Sequence, residues 1–91
     1  MSTRSKKETE VVFWLQSKER ETGRVTYMFQ IEGSSREINK IAKKLKGSKA
    51  GDGYNPQDKT NILIIKKSFA STKDFKHFKK QLDFALKENR N

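Results

Sequence analysis

The side chains best equipped for chemistry in this chain are cations. Arg36, Lys40, Lys43 and Lys44 fall within one short stretch, Lys66 and Lys67 are adjacent, and Lys49 and Lys59 bracket Tyr54. Ammonium and guanidinium groups at such spacings neutralise phosphate or carboxylate charge, and each neutralised phosphate of a nucleic acid releases condensed counterions. Groups suited to making or breaking bonds are sparse. His77 is the sole histidine, with Asp74 three residues before it and no cysteine in the chain, which reads as a surface histidine rather than a metal ligand. Asp52 and Asp58, near Lys59, come closest to a nuclease-like carboxylate pair, but two carboxylates in a Lys-rich stretch point only weakly to one. No nucleophile motif, Walker-type phosphate loop or dinucleotide fingerprint occurs. The residues therefore predict a non-enzymatic domain with no cofactor and no metal.

Composition agrees. Twenty-one Lys and Arg against eleven Asp and Glu give a net charge of +10, and only 32% of the 91 residues are hydrophobic. A chain of this length holds one small core. The charge is unevenly spread: residues 1–33 carry +1 and residues 34–91 carry +9. A one-sided excess of this size favours an anionic partner over mere solubility. The absence of cysteine and of an apolar leader or membrane-length segment predicts an intracellular, cytoplasmic protein, with the nucleus also open, and no membrane role.

These cations need elements to position them. Residues 1–10 read as a flexible charged arm before a single domain over 11–91. Val11–Gln16 is rich in β-branched and aromatic residues, and Arg24–Ile31 alternates, with Val25, Tyr27, Phe29 and Ile31 on one side. The polar segment between them ends in Gly23, so the pair reads as an antiparallel hairpin. Ser34-Ser35-Arg36-Glu37 has capping-box spacing and opens a helix whose apolar stripe is Ile38, Ile41, Ala42 and Leu45, with Gly47 as its stop. At 100° per residue, Arg36, Lys40, Lys43 and Lys44 lie about 140–240° from Ile38, opposite that stripe, and only Glu37 stands near enough to offset them.

Residues 47–60 hold three glycines and the only proline without periodicity, which predicts a long loop, either functional or disordered. Its Lys49, Tyr54 and Lys59 then become candidates for partner contact. Asn61–Ile65 is apolar on both parities, as in a central strand, with Lys66 and Lys67 at its exit. Ser71 caps a second helix with the stripe Phe75, Phe78, Leu82, Ala85 and Leu86; Lys73, Lys76, Lys80 and Lys87 share one flank, and Phe84 points away from the stripe. The expected fold is α+β in the order β-β-α-β-α: a small sheet built on the hairpin plus a third strand, two helices on one face. Trp14, Thr26 and Met28 have the parity of the opposite face, so Trp14 is either an ordinary core residue or an exposed aromatic able to stack on unpaired bases.

The pattern of Gly23-Arg24-Val25-Thr26, Ile31-Glu32-Gly33, Ile41-Ala42-Lys43-Lys44-Leu45-Lys46, Gly51-Asp52-Gly53 and Ile62-Leu63-Ile64-Ile65 resembles the translation initiation factor one family. The resemblance spans roughly residues 11–86. In this chain Asp52 splits the family's double glycine, Lys66-Lys67-Ser68 replaces its Gly-Asp pair, and no closing strand follows the last helix. The resemblance implies a ribosome-associated role with rRNA contacts through Lys18, Arg20 and Arg24 of the hairpin and Lys43, Lys44 and Lys46 of the helix. Two classes of partner follow: a nucleic acid, RNA ahead of DNA, or an acidic protein surface that the domain meets as an inhibitor or assembly subunit. Oligomeric state is left open. Sixteen lysines against five arginines favour contacts to backbone and shape over base reading.

Overall fold

The computed structural model describes residues 9–90, the side chains of 86–90 excepted. Residues 1–8 of the expected arm and the side chains of Leu86 and Lys87 lie outside the described residues, whereas Thr9 and Glu10 belong to the fold. The elements are β1 Glu10–Lys18, β2 Val25–Gly33, α1 Ser35–Leu45, β3 Ser48–Asn55, β4 Thr60–Phe69 and α2 Thr72–Arg90. The strands form one antiparallel sheet in the order β1-β2-β4-β3. The fold is α+β, as expected, with an additional strand.

That strand corrects the reading of residues 47–60. In place of a long loop, β3 pairs with β4 from Ser48↔Lys66 to Asn55↔Thr60, with a bulge between Lys49 and Gly51. Only Pro56 to Lys59 form the turn. The Asn55 side-chain oxygen accepts from the amides of Gln57 and Asp58 at 3.1 and 3.4 Å, and Lys59 closes the turn in the left-handed region at φ 55°. The β1–β2 hairpin uses the same device with the residue best suited to it. The Glu19 amide donates to the Arg24 carbonyl and the Gly23 amide to the Glu19 carbonyl, closing the loop, and Gly23 takes φ 78°. The expected third strand is also longer than its apolar run, so Lys66 and Lys67 lie within β4 rather than past its end.

Strand parity places Val25, Tyr27, Phe29 and Ile31 of β2 beside Leu63, Ile65 and Phe69 of β4 on one face, and both helices cover it. Ile38, Ile41 and Leu45 of α1 and Phe75 and Leu82 of α2 complete the buried core. Aromatic rings make up much of it: Tyr27 stacks on Phe75 at 3.6 Å between centroids, and Phe69 packs against Phe75 and Phe78. Phe29, fully buried, sits at the centre of this cluster.

Both helices start where the sequence places them. The Ser34 hydroxyl accepts from the Glu37 amide at 3.3 Å, and the Ser71 hydroxyl accepts from the Asp74 amide at 3.2 Å. The end of α1 differs from expectation. Lys46, not Gly47, takes the left-handed cap at φ 54°, its amide bonding to the Ala42 carbonyl. Gly47 serves a different need. A Cβ there would stand 2.5 Å from Ile65 Cγ2 and 2.6 Å from the Lys66 carbonyl oxygen, so the chain is pressed onto β4 at a point where only glycine fits.

Two substitutions separate these roles in urea unfolding. Lys59→Gly relieves a left-handed side chain in an exposed turn and raises stability by about 1 kcal/mol. Gly47→Ala overfills the contact with β4 and lowers stability by about 1–3 kcal/mol. Equal and negligible shifts in both would contradict this division of labour.

Candidate nucleic-acid interface

The outward face of α1 is cationic by construction. Its apolar stripe is drawn into the core, which leaves Arg36, Lys40, Lys43 and Lys44 exposed on the other side. Glu37, the one acid able to offset them, is engaged elsewhere: its carboxylate accepts from Thr9 Oγ1 at 2.7 Å and from Ser34 Oγ at 3.3 Å. Thus the first turn of α1 ties down its only carboxylate where the chain enters the sheet.

Past the C-terminal end of α1 lies a recess of about 350 Å³ lined by Lys46, Gly47, Ser48, Lys66, Lys67 and Ser68. The close approach of Gly47 to β4 brings Lys46 beside the two β4 lysines. Because β3 begins only at Ser48, opposite Lys66, the edge of β4 beyond that point is left without a strand partner. Lys67 lies over the Phe69 and Phe78 rings at 5.5 and 5.4 Å. Such contacts fix the direction of a lysine while leaving its charge available. Among the described residues, neither Lys46 nor Lys66 has an acidic partner. Three lysines and two serines among the six lining residues make this recess cationic and polar, a composition that suits an anionic oxygen ligand.

The other candidates are distributed around this centre. Lys18, Arg20 and Arg24 sit at the tip of the β1–β2 hairpin, at the sheet end where Val25 pairs with Phe69. Lys59 stands in the β3–β4 turn at the opposite end. Strands of this length span about 30 Å, so these two groups cannot meet one compact ligand together. Lys49 pairs with Asp52 at 2.6 Å, both side chains well exposed, which partly neutralises it. Tyr54 is exposed on the edge strand β3.

Among the described residues, no element covers the face of the sheet away from the helices. Trp14, Met28, Lys66 and Ser48 form one cross-strand row on it, and Val12, Gln30, Ile64 and Gly51 the next. Trp14 is exposed, so the core reading of this residue does not hold. Thr26 is not part of the open surface: it is buried and hydrogen-bonded to Ser68 at 2.8 Å. Gly47, Ser48 and Ser68 are site residues that the sequence did not reveal, since their convergence depends on β3. A glycine immediately after a Lys-rich helix and before a polar strand was the available signal.

Asp52 and Asp58 are held by different partners, although Asp58 and Glu32 both accept from Asn55 Nδ2. Asp52 lies within β3 against Lys49, while Asp58 sits in the turn and accepts from Asn55 Nδ2 at 3.2 Å. His77 is exposed and faces Gln81 across one helical turn. Among the described residues no group of three His, Cys, Asp or Glu side chains could hold a metal ion, and no helix is long and apolar enough to cross a membrane. Comparison with family models, with curated proteins and with solved structures finds no match for this chain, so its own surface carries the functional reading.

Proposed function

We propose that this domain binds RNA without catalysing a reaction, seating the phosphate backbone along the outward face of α1 and in the recess at its C-terminal end. One observation carries this reading. Arg36, Lys40, Lys43 and Lys44 stand exposed on a helix whose only acid, Glu37, is committed to Thr9 and Ser34, and Lys46, Lys66 and Lys67 line a recess at the C-terminal end of that helix. A lysine surface of this kind recognises backbone charge and shape, with slight sequence preference. Exposed Trp14 and Tyr54 favour RNA over DNA, because unpaired bases stack on such rings. The likeness in pattern to the translation initiation factor one family points the same way, to a ribosome-associated cytoplasmic role. Hairpin residues Lys18, Arg20 and Arg24 then act as a second contact at the sheet end.

A specific feature supports a second reading. Phe84 is 65% exposed on α2 and lies on the same flank as Lys73 and Lys80, an apolar anchor among cations that suits an acidic protein surface. The two readings separate by salt and by site. Titration of the chain with single-stranded RNA, duplex RNA and duplex DNA across salt should give a steep slope and a preference for RNA.

Replacing Lys40, Lys43 and Lys44 together with Gln should leave thermal unfolding nearly unchanged. The same variant should weaken RNA binding and reduce the slope of log K against log salt by about 2, at roughly 0.7 per lost phosphate contact. Unchanged affinity in the folded triple variant would move the site to the hairpin or to α2. Weak binding lost equally for all nucleic acids near physiological salt would favour the protein partner, and Phe84→Ala would then be the variant that impairs binding.

A further inference from the structure

The open face of the sheet carries two features that neither α1 nor the core explains. One is apolar: Trp14, 44% exposed, shares a cross-strand row with Met28, Lys66 and Ser48, and Val12, 52% exposed, shares the next with Gln30, Ile64 and Gly51. The other is a lack of side chains along β3, where Gly51 and Gly53 stand on this face opposite Ile64 and Ile62. Neither glycine takes a positive φ, so the bulge after Lys49 does not require Gly51. A Cβ at Gly53 would meet nothing within 4 Å, and one at Gly51 only Ile64 Cδ1 at 3.8 Å, an ordinary contact. Backbone conformation and packing therefore call for glycine at neither position, although glycine weakens a strand. What both residues do is leave the backbone of β3 and the flanks of Ile62 and Ile64 open to a ligand.

We propose that this face is a platform for an unpaired segment of RNA, with a base stacked on Trp14 and the backbone running over Lys66 into the recess. The inference rests on the RNA-binding reading above and names the form of RNA that the domain takes. Charge complementarity identifies the occupant and its placement. Ser48, Lys66 and Ser68, which line the recess, have open-face parity and are exposed, so the recess is where Lys46 at the end of α1 meets the open face. Trp14 and Lys66 are two strand spacings apart, about 10 Å, with Met28 between them. Phosphate belongs at that end only, because Glu10 and Glu32 stand opposite each other in the third row of the same face. A duplex keeps its bases paired and stacked inside and offers this face backbone alone. An unpaired strand supplies both a ring for Trp14 and phosphate for Lys66.

Salt separates the platform from the cationic surfaces. Stacking on Trp14 releases no counterions, so its loss lowers affinity by the same factor at every salt concentration and leaves the slope of log K against log salt unchanged. Loss of a lysine that meets phosphate lowers affinity and slope together.

Trp14 is the only tryptophan of the chain, so its fluorescence reports the platform directly. The probes are a single-stranded RNA of about ten nucleotides and the same strand annealed to its complement, each end-labelled for anisotropy. The single strand should quench Trp14 in step with binding, and the duplex should bind without quenching it. Trp14→Ala should weaken the single strand about tenfold with an unchanged salt slope and leave duplex binding as it was, whereas Trp14→Phe should retain most of the affinity. Gly51→Val should also weaken the single strand without lowering the midpoint of thermal unfolding, since a branched side chain suits a strand and its Cβ meets only Ile64. Single-strand binding that leaves Trp14 fluorescence unchanged, or that withstands both Trp14→Ala and Gly51→Val, overturns the platform. If replacing Lys40, Lys43 and Lys44 with Gln still weakens that binding, the RNA-binding reading stands without it. Absence of salt-dependent binding to either RNA overturns both.

Discussion

The pairing of β2 with β4 is the constraint from which the other features follow. It runs without a register break from Val25↔Phe69 to Gly33↔Asn61, and its strict alternation decides which side chains meet the helices. Phe29 and Ile65 face each other across it on the covered side, while Met28 and Lys66 do so on the open side. A slip of one residue would carry Phe29 out of the core and every neighbour with it, at a cost a core this small could not absorb. The same alternation sends Lys66 and Lys67 to opposite faces. Both line one recess because β3 begins at Ser48, opposite Lys66, and leaves the edge of β4 beyond that residue without a strand partner.

The placement of charge follows from how the helices dock onto this pair. With Ile38, Ile41 and Leu45 committed to the sheet, α1 must present Arg36, Lys40, Lys43 and Lys44 to water. Like charges one turn apart disfavour a helix by a few tenths of a kcal/mol, roughly the amount an opposed pair would contribute. Glu37 could have relieved this, but it holds Thr9 and Ser34 and so anchors the entry to β1 and to α1 at once. The helix keeps its cationic face at some cost to its own stability.

How much of this was legible in the residues depends on where each element draws its stability. The hairpin and both helices carry their own signals: alternation through Val25 to Ile31, Ser34 and Ser71 as caps, and stripes at helical spacing. β3 carries none. Ser48–Asn55 includes Gly51 and Gly53 and no apolar alternation, because an edge strand held by β4 and a turn at Asn55 needs neither. The end of α1 departs from expectation for a related reason. A glycine after a helix usually supplies the left-handed cap. Here the contact with Ile65 and the Lys66 carbonyl already requires Gly47, so Lys46 takes the strained conformation in its place. The cations of α1 could thus be assigned from spacing alone, whereas the recess that joins Lys46 to Lys66 and Lys67 could not.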